Sequence, residues 1–156
     1  AEELHSYYAL KVEVAKQLAL LREADIISTV TTSDVPVFSD SVISAGVHIN
    51  AMGSFKPASR EIPSETVRRA KVVVDQREAC LKEAGDLLIP IAEGIISDGD
   101  IHGEIGEVVL GRKAGRESEQ EITLFKSVGN AVQDLLAARL VLTNSQQQNL
   151  GTELVL

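Results

Sequence analysis

His102, Glu104 and Glu107 bring an imidazole and two carboxylates into one short stretch. On a helix, Glu104 and Glu107 would share a face, and paired carboxylates can do acid–base work or hold a metal. Neither a second His nor a Cys joins them, so the pattern reads as structural or solvated, and no metal site is expected. Cys80 is a lone cysteine, which excludes an internal disulfide and a multi-cysteine zinc site. Between Ala79 and Leu81 it reads as a buried, inert thiol. The glycine turn that cradles a dinucleotide phosphate, Gly-x-Gly-x-x-Gly, does not occur. The nearest approach, Gly103-Glu104-Ile105-Gly106, falls inside a helical pattern with no β-branched strand before it, and reads as helix packing. Three polar segments offer more: Thr31 to Asp34, Gly53 to Pro57, and Asp75 to Glu78. Each follows an apolar run. A fourth, Ser127-Val128-Gly129, would open the last helix and turn its N-terminal amides toward a polar ligand.

The elements that must position these segments alternate. Ala9 to Arg22 predicts an amphipathic helix with Leu10, Val14, Leu18 and Leu21 on one stripe. Strands are expected over Asp25 to Val30, Val47 to Met52, Val72 to Val74 and Ile122 to Phe125. Asp40 to Ile43 suggests one helical turn, and Ala45-Gly46 a tight turn. Helices are expected over Pro63 to Ala70, over Gln76 to Ala84 stopped by Gly85, over Ile101 to Leu110 closed by Gly111, and over Ser127 to Leu142. Leu87 to Glu93 is ambiguous. Alternation at this spacing implies right-handed crossovers and a mainly parallel sheet. Ligands of such sheets bind beyond the carboxyl ends of the strands, where the polar segments lie.

Composition narrows the function classes. The 156 residues suit one domain, 44% hydrophobic but only 3% aromatic. Its core must come from Val, Ile, Leu and Ala, which suits strands buried on both faces. A net charge of −8 argues against nucleic acid and against an anionic membrane surface. Ala9 to Leu21 is too short and too charged to span a bilayer, and no leader is visible, so a cytoplasmic setting is expected.

At the second strand, His48-Ile49-Asn50-Ala51-Met52-Gly53-Ser54-Phe55-Lys56-Pro57, with Arg60-Glu61-Ile62 after it, resembles the ornithine cyclodeaminase/mu-crystallin family. Further blocks agree. They are Val74-Asp75 with Glu78-Ala79 and Leu81 to Asp86, then Gly103 to Val108, then Gly115 to Ser118, Ile122 to Gly129 and Ala131 to Asp134. The resemblance runs from Ala24 to Val141. It implies an α/β fold that is the second half of a Rossmann-type, doubly wound, mainly parallel sheet with flanking helices. Residues 1–142 would form a partial NAD(P)-binding domain with its C-terminal helix, and 143–156 a flexible tail. The family chain is roughly twice as long, a homodimer when full length, with the glycine-rich half preceding these residues.

The resemblance also implies a site. Thr31, Met52, Gly53, Ser54 and Ser127 match cofactor-contacting positions. Thr31 could equally bond its own backbone, Gly53 could serve only its turn, and Ser127 could be a plain helix cap. Lys56, Glu83 and Val128 match the substrate side, although Lys56 and Glu83 also suit solvated surface charges. No catalytic residue is identified, because the family's Asp position after the Gly53 turn holds Phe55. Cyclodeamination needs a group that shuttles protons, and phenylalanine cannot do so. Reduction of a cyclic imine asks mainly for alignment and electrostatics. The resemblance therefore implies NAD(P)H-dependent reduction of small cyclic imino acids, of ketimine or pyrroline-2-carboxylate type. Ornithine cyclodeamination, alanine dehydrogenase-like activity and non-catalytic ligand binding are the alternatives.

Overall fold

The computed structural model describes residues 2–9, 11–152 and 154. The apolar runs form parallel strands: β1 (Ile26–Thr29), β2 (His48–Ala51), β3 (Lys71–Val74), β4 (Ile101–Glu104) and β5 (Thr123–Lys126). All pairings are parallel, and the spatial order is β1-β2-β5-β3-β4. The last strand thus inserts between the second and the third. Thr29, Ala51, Lys126 and Val74 fall in register across the sheet, so the segments that follow them emerge side by side.

The helices are α1 (Glu2–Tyr8), α2 (Ser64–Arg69), α3 (Arg77–Glu83), α4 (Gly85–Ala92), α5 (Ile105–Val109) and α6 (Ala131–Gln148). Alternate strand residues point inward: Ile27, Ile49, Val72, Val74 and Leu124 are buried with Val67 of α2, Cys80 of α3 and Leu87 of α4. Each aliphatic side chain buried in this way contributes roughly 1.5–3 kcal/mol. The opposite face carries Ile26, His48, Val73 and Phe125, which line a cavity of about 320 Å³ together with Ile105 and Val108 of α5. No helix among the described residues is long and apolar enough to cross a membrane.

Several expected boundaries differ. The helix over Ala9 to Arg22 does not form: residues 11–17 have no regular structure, and Leu18–Glu23 is a 3-10 helix. Leu10 lies outside the described residues. Val14 and Leu18 are exposed, and a short helix whose apolar stripe has nothing to pack on lacks the main source of helical stability. The helix over Ile101 to Leu110 is a strand for its first four residues. Ile101, Gly103 and Glu104 pair with β3, and this tertiary pairing overrides a helical spacing. Gly103-Glu104-Ile105-Gly106 is therefore a strand-to-helix junction, not packing within a helix. Gly85 does not stop α3 but begins α4, which settles Leu87 to Ala92 as helical. A Cβ at Gly85 would meet the carbonyl oxygens of Ser59, Lys56 and Pro57, so the junction needs a residue without one. The last helix starts at Ala131, capped by the Asn130 side chain, rather than at Ser127. It continues to Gln148, so the first residues of the segment expected as a tail are helical.

Candidate functional site

Three backbone amides at the carboxyl edge converge on one carboxylate. Glu61, in the loop before α2, accepts from Thr31 N at 2.6 Å on one oxygen. Its other oxygen accepts from Gly53 N at 2.8 Å and Ser54 N at 3.2 Å. The loop after β1 and the turn after β2 are thereby tied to a single, fully buried side chain. Burial alone would push the Glu61 carboxyl up, but the donors from Thr31 and Gly53 outweigh it and hold the group below its ordinary range. A Cβ at Gly53 would meet Thr31 N and O and would stand 2.5 Å from Glu61 Oε1. This glycine permits two stretches of backbone to approach one another.

Asp75, directly after β3, gathers a second set. Its Oδ2 accepts from Ser127 Oγ at 2.7 Å and from Val128 N and Gly129 N, each at 3.0 Å. Its Oδ1 accepts from Gln76 N at 2.7 Å and from the Cys80 thiol at 3.2 Å. Burial opposes the charge, yet the Ser127 hydroxyl, the Cys80 thiol and these amides hold the carboxyl low. The Cys80 thiol is pushed up to about 12, first by burial and then by Asp75 beside it. It is buried, as expected.

A third buried cluster lies beneath the Gly53 turn. Lys126 is fully buried at the inward end of β5, and its ammonium lies 2.8 Å from Asp86 Oδ2. It also donates to Ser54 O. Asp86, likewise fully buried, uses Oδ1 to accept from Glu61 N at 2.7 Å and Ile62 N at 2.9 Å.

The structure brings Thr31, Met52, Gly53, Ser54, Ser127 and Val128 together along the carboxyl edge. Thr31 and Met52 are exposed. Thr31 Oγ1 accepts from Ser33 N at 3.1 Å, the local backbone bond its sequence allowed. Ser54 is buried, and its hydroxyl donates inward to Ser59 O. Ser127 is buried against Asp75 and does not cap α6. Lys56 and Phe55 are exposed, with the ammonium 5.8 Å from the ring centroid. They border a notch of about 70 Å³ lined also by Thr32, Ser33, Asp34 and Gly53. Glu83 ends α3 two residues before Gly85, whose amide donates to Lys56 O at 3.2 Å. The Glu104–Glu107 pair is structural: Glu107 accepts from Glu104 N at 2.9 Å, and Glu104 from Arg77 N at 2.8 Å. No group of three metal-binding side chains occurs among the described residues.

Sequence reasoning did not select Glu61, Asp86 or Lys126, and it reached Asp75 only as the first residue of the polar segment Asp75 to Glu78. One signal was available for Lys126, which stands two residues after Leu124 on the inward row of β5.

A family model described as ornithine cyclodeaminase/mu-crystallin family matches residues 1–149. The chain belongs to that family. It is 47% identical over 135 residues to a Delta(1)-pyrroline-2-carboxylate reductase of Bacillus cereus, covering 86% of this chain and 41% of that protein. It is 44% identical over 118 residues to the ketimine reductase mu-crystallin of Mus musculus, covering 76% of this chain and 35% of that one. Among solved structures, Thermococcus litoralis Delta(1)-pyrroline-2-carboxylate reductase in complex with NADH and L-proline matches with a TM-score of 0.91 and 41% identity. That match covers 99% of this chain and 48% of the Thermococcus chain. The chain thus spans about two fifths of the curated relatives' length.

The edge fits part of a dinucleotide. Its convergent amides are spent on Glu61 and Asp75, and both carboxyls are held in the charged form. An anionic pyrophosphate would find two carboxylates there and few free donors. The exposed Thr31 and Met52 and the Gly53 backbone leave room there for an uncharged ring and ribose.

Proposed function

We propose that the protein carrying this chain is an NAD(P)H-dependent oxidoreductase that reduces small cyclic imino acids of pyrroline-2-carboxylate or ketimine type. The likeness to the Thermococcus reductase, over nearly all of this chain, carries the reading. Phe55 supports it against cyclodeamination, because the residue at the lip of the notch has no proton to give or take.

When bound, a reduced nicotinamide supplies the hydride. The chain's own residues align and shape. Thr31, Met52 and the Gly53–Ser54 turn form the cofactor side, held rigid by Glu61. Ser127 completes that side, fixed by Asp75. The exposed Lys56 ammonium attracts the imino acid carboxylate, with Val128 and Glu83 bordering the substrate. Placement of the imine carbon against the donor is where such a site gains most of its rate. The working form is a cytoplasmic homodimer, and the exposed Leu135, Leu136 and Leu140 of α6 leave apolar surface for association.

The test is turnover by the full-length protein. NADH or NADPH oxidation with pyrroline-2-carboxylate or piperideine-2-carboxylate is expected, with no ammonia released from ornithine. Ammonia release without imine-dependent oxidation would overturn the reading. In a second arm, Lys56→Met is expected to raise KM for the imino acid about tenfold, the scale of one charge-assisted contact, and to leave cofactor affinity unchanged.

A further inference from the structure

We propose that Lys126 is a positioning residue for the cofactor side of the crevice, acting through the Ser54 carbonyl. The proposal rests on the cofactor reading above. Lys126 occupies an inward strand position that Leu124 fills with hydrocarbon two residues earlier, and neither Lys126 nor Asp86 reaches solvent. A buried ion pair is a poor way to gain stability, since an apolar pair of similar volume does as well or better. The ammonium's second contact gives it a different task. It donates to Ser54 O from beneath the turn, while Glu61 takes Ser54 N and Ser59 O takes Ser54 Oγ. Every polar group of Ser54 is therefore anchored below the surface, and the peptide leading into Phe55 has one orientation. That orientation sets how Gly53, Phe55 and Lys56 face the notch. The insertion of β5 between β2 and β3 puts the ammonium there.

Three variants of the full-length protein separate positioning from stability. Asp86→Asn keeps an acceptor for Glu61 N and Ile62 N and keeps the ammonium on Ser54 O. It is expected to lower Tm while NADH Kd stays within twofold, measured well below Tm. Lys126→Met is expected to lower Tm and to weaken NADH at least tenfold, with KM for NADH rising and kcat within threefold. The double variant Lys126→Met/Asp86→Asn removes the unpaired buried carboxylate. It is expected to recover Tm relative to Lys126→Met but to keep the weakened NADH affinity, because Ser54 O still lacks its donor. A double variant with wild-type NADH affinity overturns the proposal. If the Lys126 variants do not fold, Asp86→Asn decides alone, and a tenfold loss of NADH affinity there overturns the proposal. Wild-type protein that binds neither NADH nor NADPH defeats the functional reading itself. Wild-type binding with an unaffected double variant defeats only the assignment of Lys126.

Discussion

Glu61→Gln tests the central claim about the edge. The carboxylate presents two acceptor oxygens to three amide donors, with Thr31 N on one and Gly53 N and Ser54 N on the other. Glutamine presents one acceptor and one NH2. Whichever way the amide turns, a donor faces a donor. If Oε1 keeps Thr31, two amides lose their partner, and each buried donor left unmatched costs about 1–3 kcal/mol. The expected loss is therefore about 2–6 kcal/mol, read as a shift of the urea midpoint at unchanged slope. A pH signature accompanies it. The folded Glu61 carboxyl lies below its reference value of 4.5, so its contribution is fully present above that pH. The contribution is lost as pH falls through the folded value, where the wild type protonates. The stability gap between wild type and variant should be constant from pH 7 down to about 5 and close in stronger acid. Amide exchange at Thr31, Gly53 and Ser54 should accelerate in the variant at neutral pH. A variant within about 0.5 kcal/mol of wild type, the scatter of neutral surface changes, would refute the reasoning.

Gly53→Ala forces a Cβ against the Thr31 backbone and should cost about 1–3 kcal/mol by calorimetry, as overpacking does; an unchanged Tm would show that the loop yields freely. Asp75→Ala strips the partner from the Ser127 hydroxyl and from the Val128 and Gly129 amides, so a weakened NADH affinity and faster exchange at residues 127–129 are expected. Cys80 should resist thiol reagents in the native protein at pH 8 and react only on unfolding, since its thiol is buried and pushed up to about 12; rapid stoichiometric labelling would contradict that environment. Residues 1–156 alone should bind NADH only at about millimolar Kd or weaker, because the edge amides are already paired; micromolar binding by titration would show free donors elsewhere in these residues.

What could be read from the sequence follows the physics of each element. β-branched runs such as Val72-Val73-Val74 announce strands because the side chain itself favours the pleat. β4 does not announce itself: Ile101-His102-Gly103-Glu104 is a strand because β3 lies beside it. The helix expected from Ala9 failed for the complementary reason, since an amphipathic stripe is only half of an interaction. The buried charges were hidden more deeply. Glu61, Asp86 and Lys126 are residue types that usually face water, and only the fold reveals that each neutralises donors or acceptors from distant segments.

The Gly53–Ser54 turn shows how a right position can be found for an incomplete reason. Family resemblance points to both residues as cofactor contacts. In the structure the missing Cβ of Gly53 makes room for Thr31 and Glu61, and the Ser54 hydroxyl turns inward to Ser59 O. These residues shape the surface more than they form it. Thr31, Met52, Phe55 and Lys56, by contrast, are exposed along this edge. Substitutions at Gly53 and Ser54 should accordingly change cofactor affinity together with stability. Substitutions at Met52 and Lys56, which anchor nothing beneath them, should change binding alone. A Lys56 variant that unfolded the turn would place that side chain in the scaffold and reverse the division.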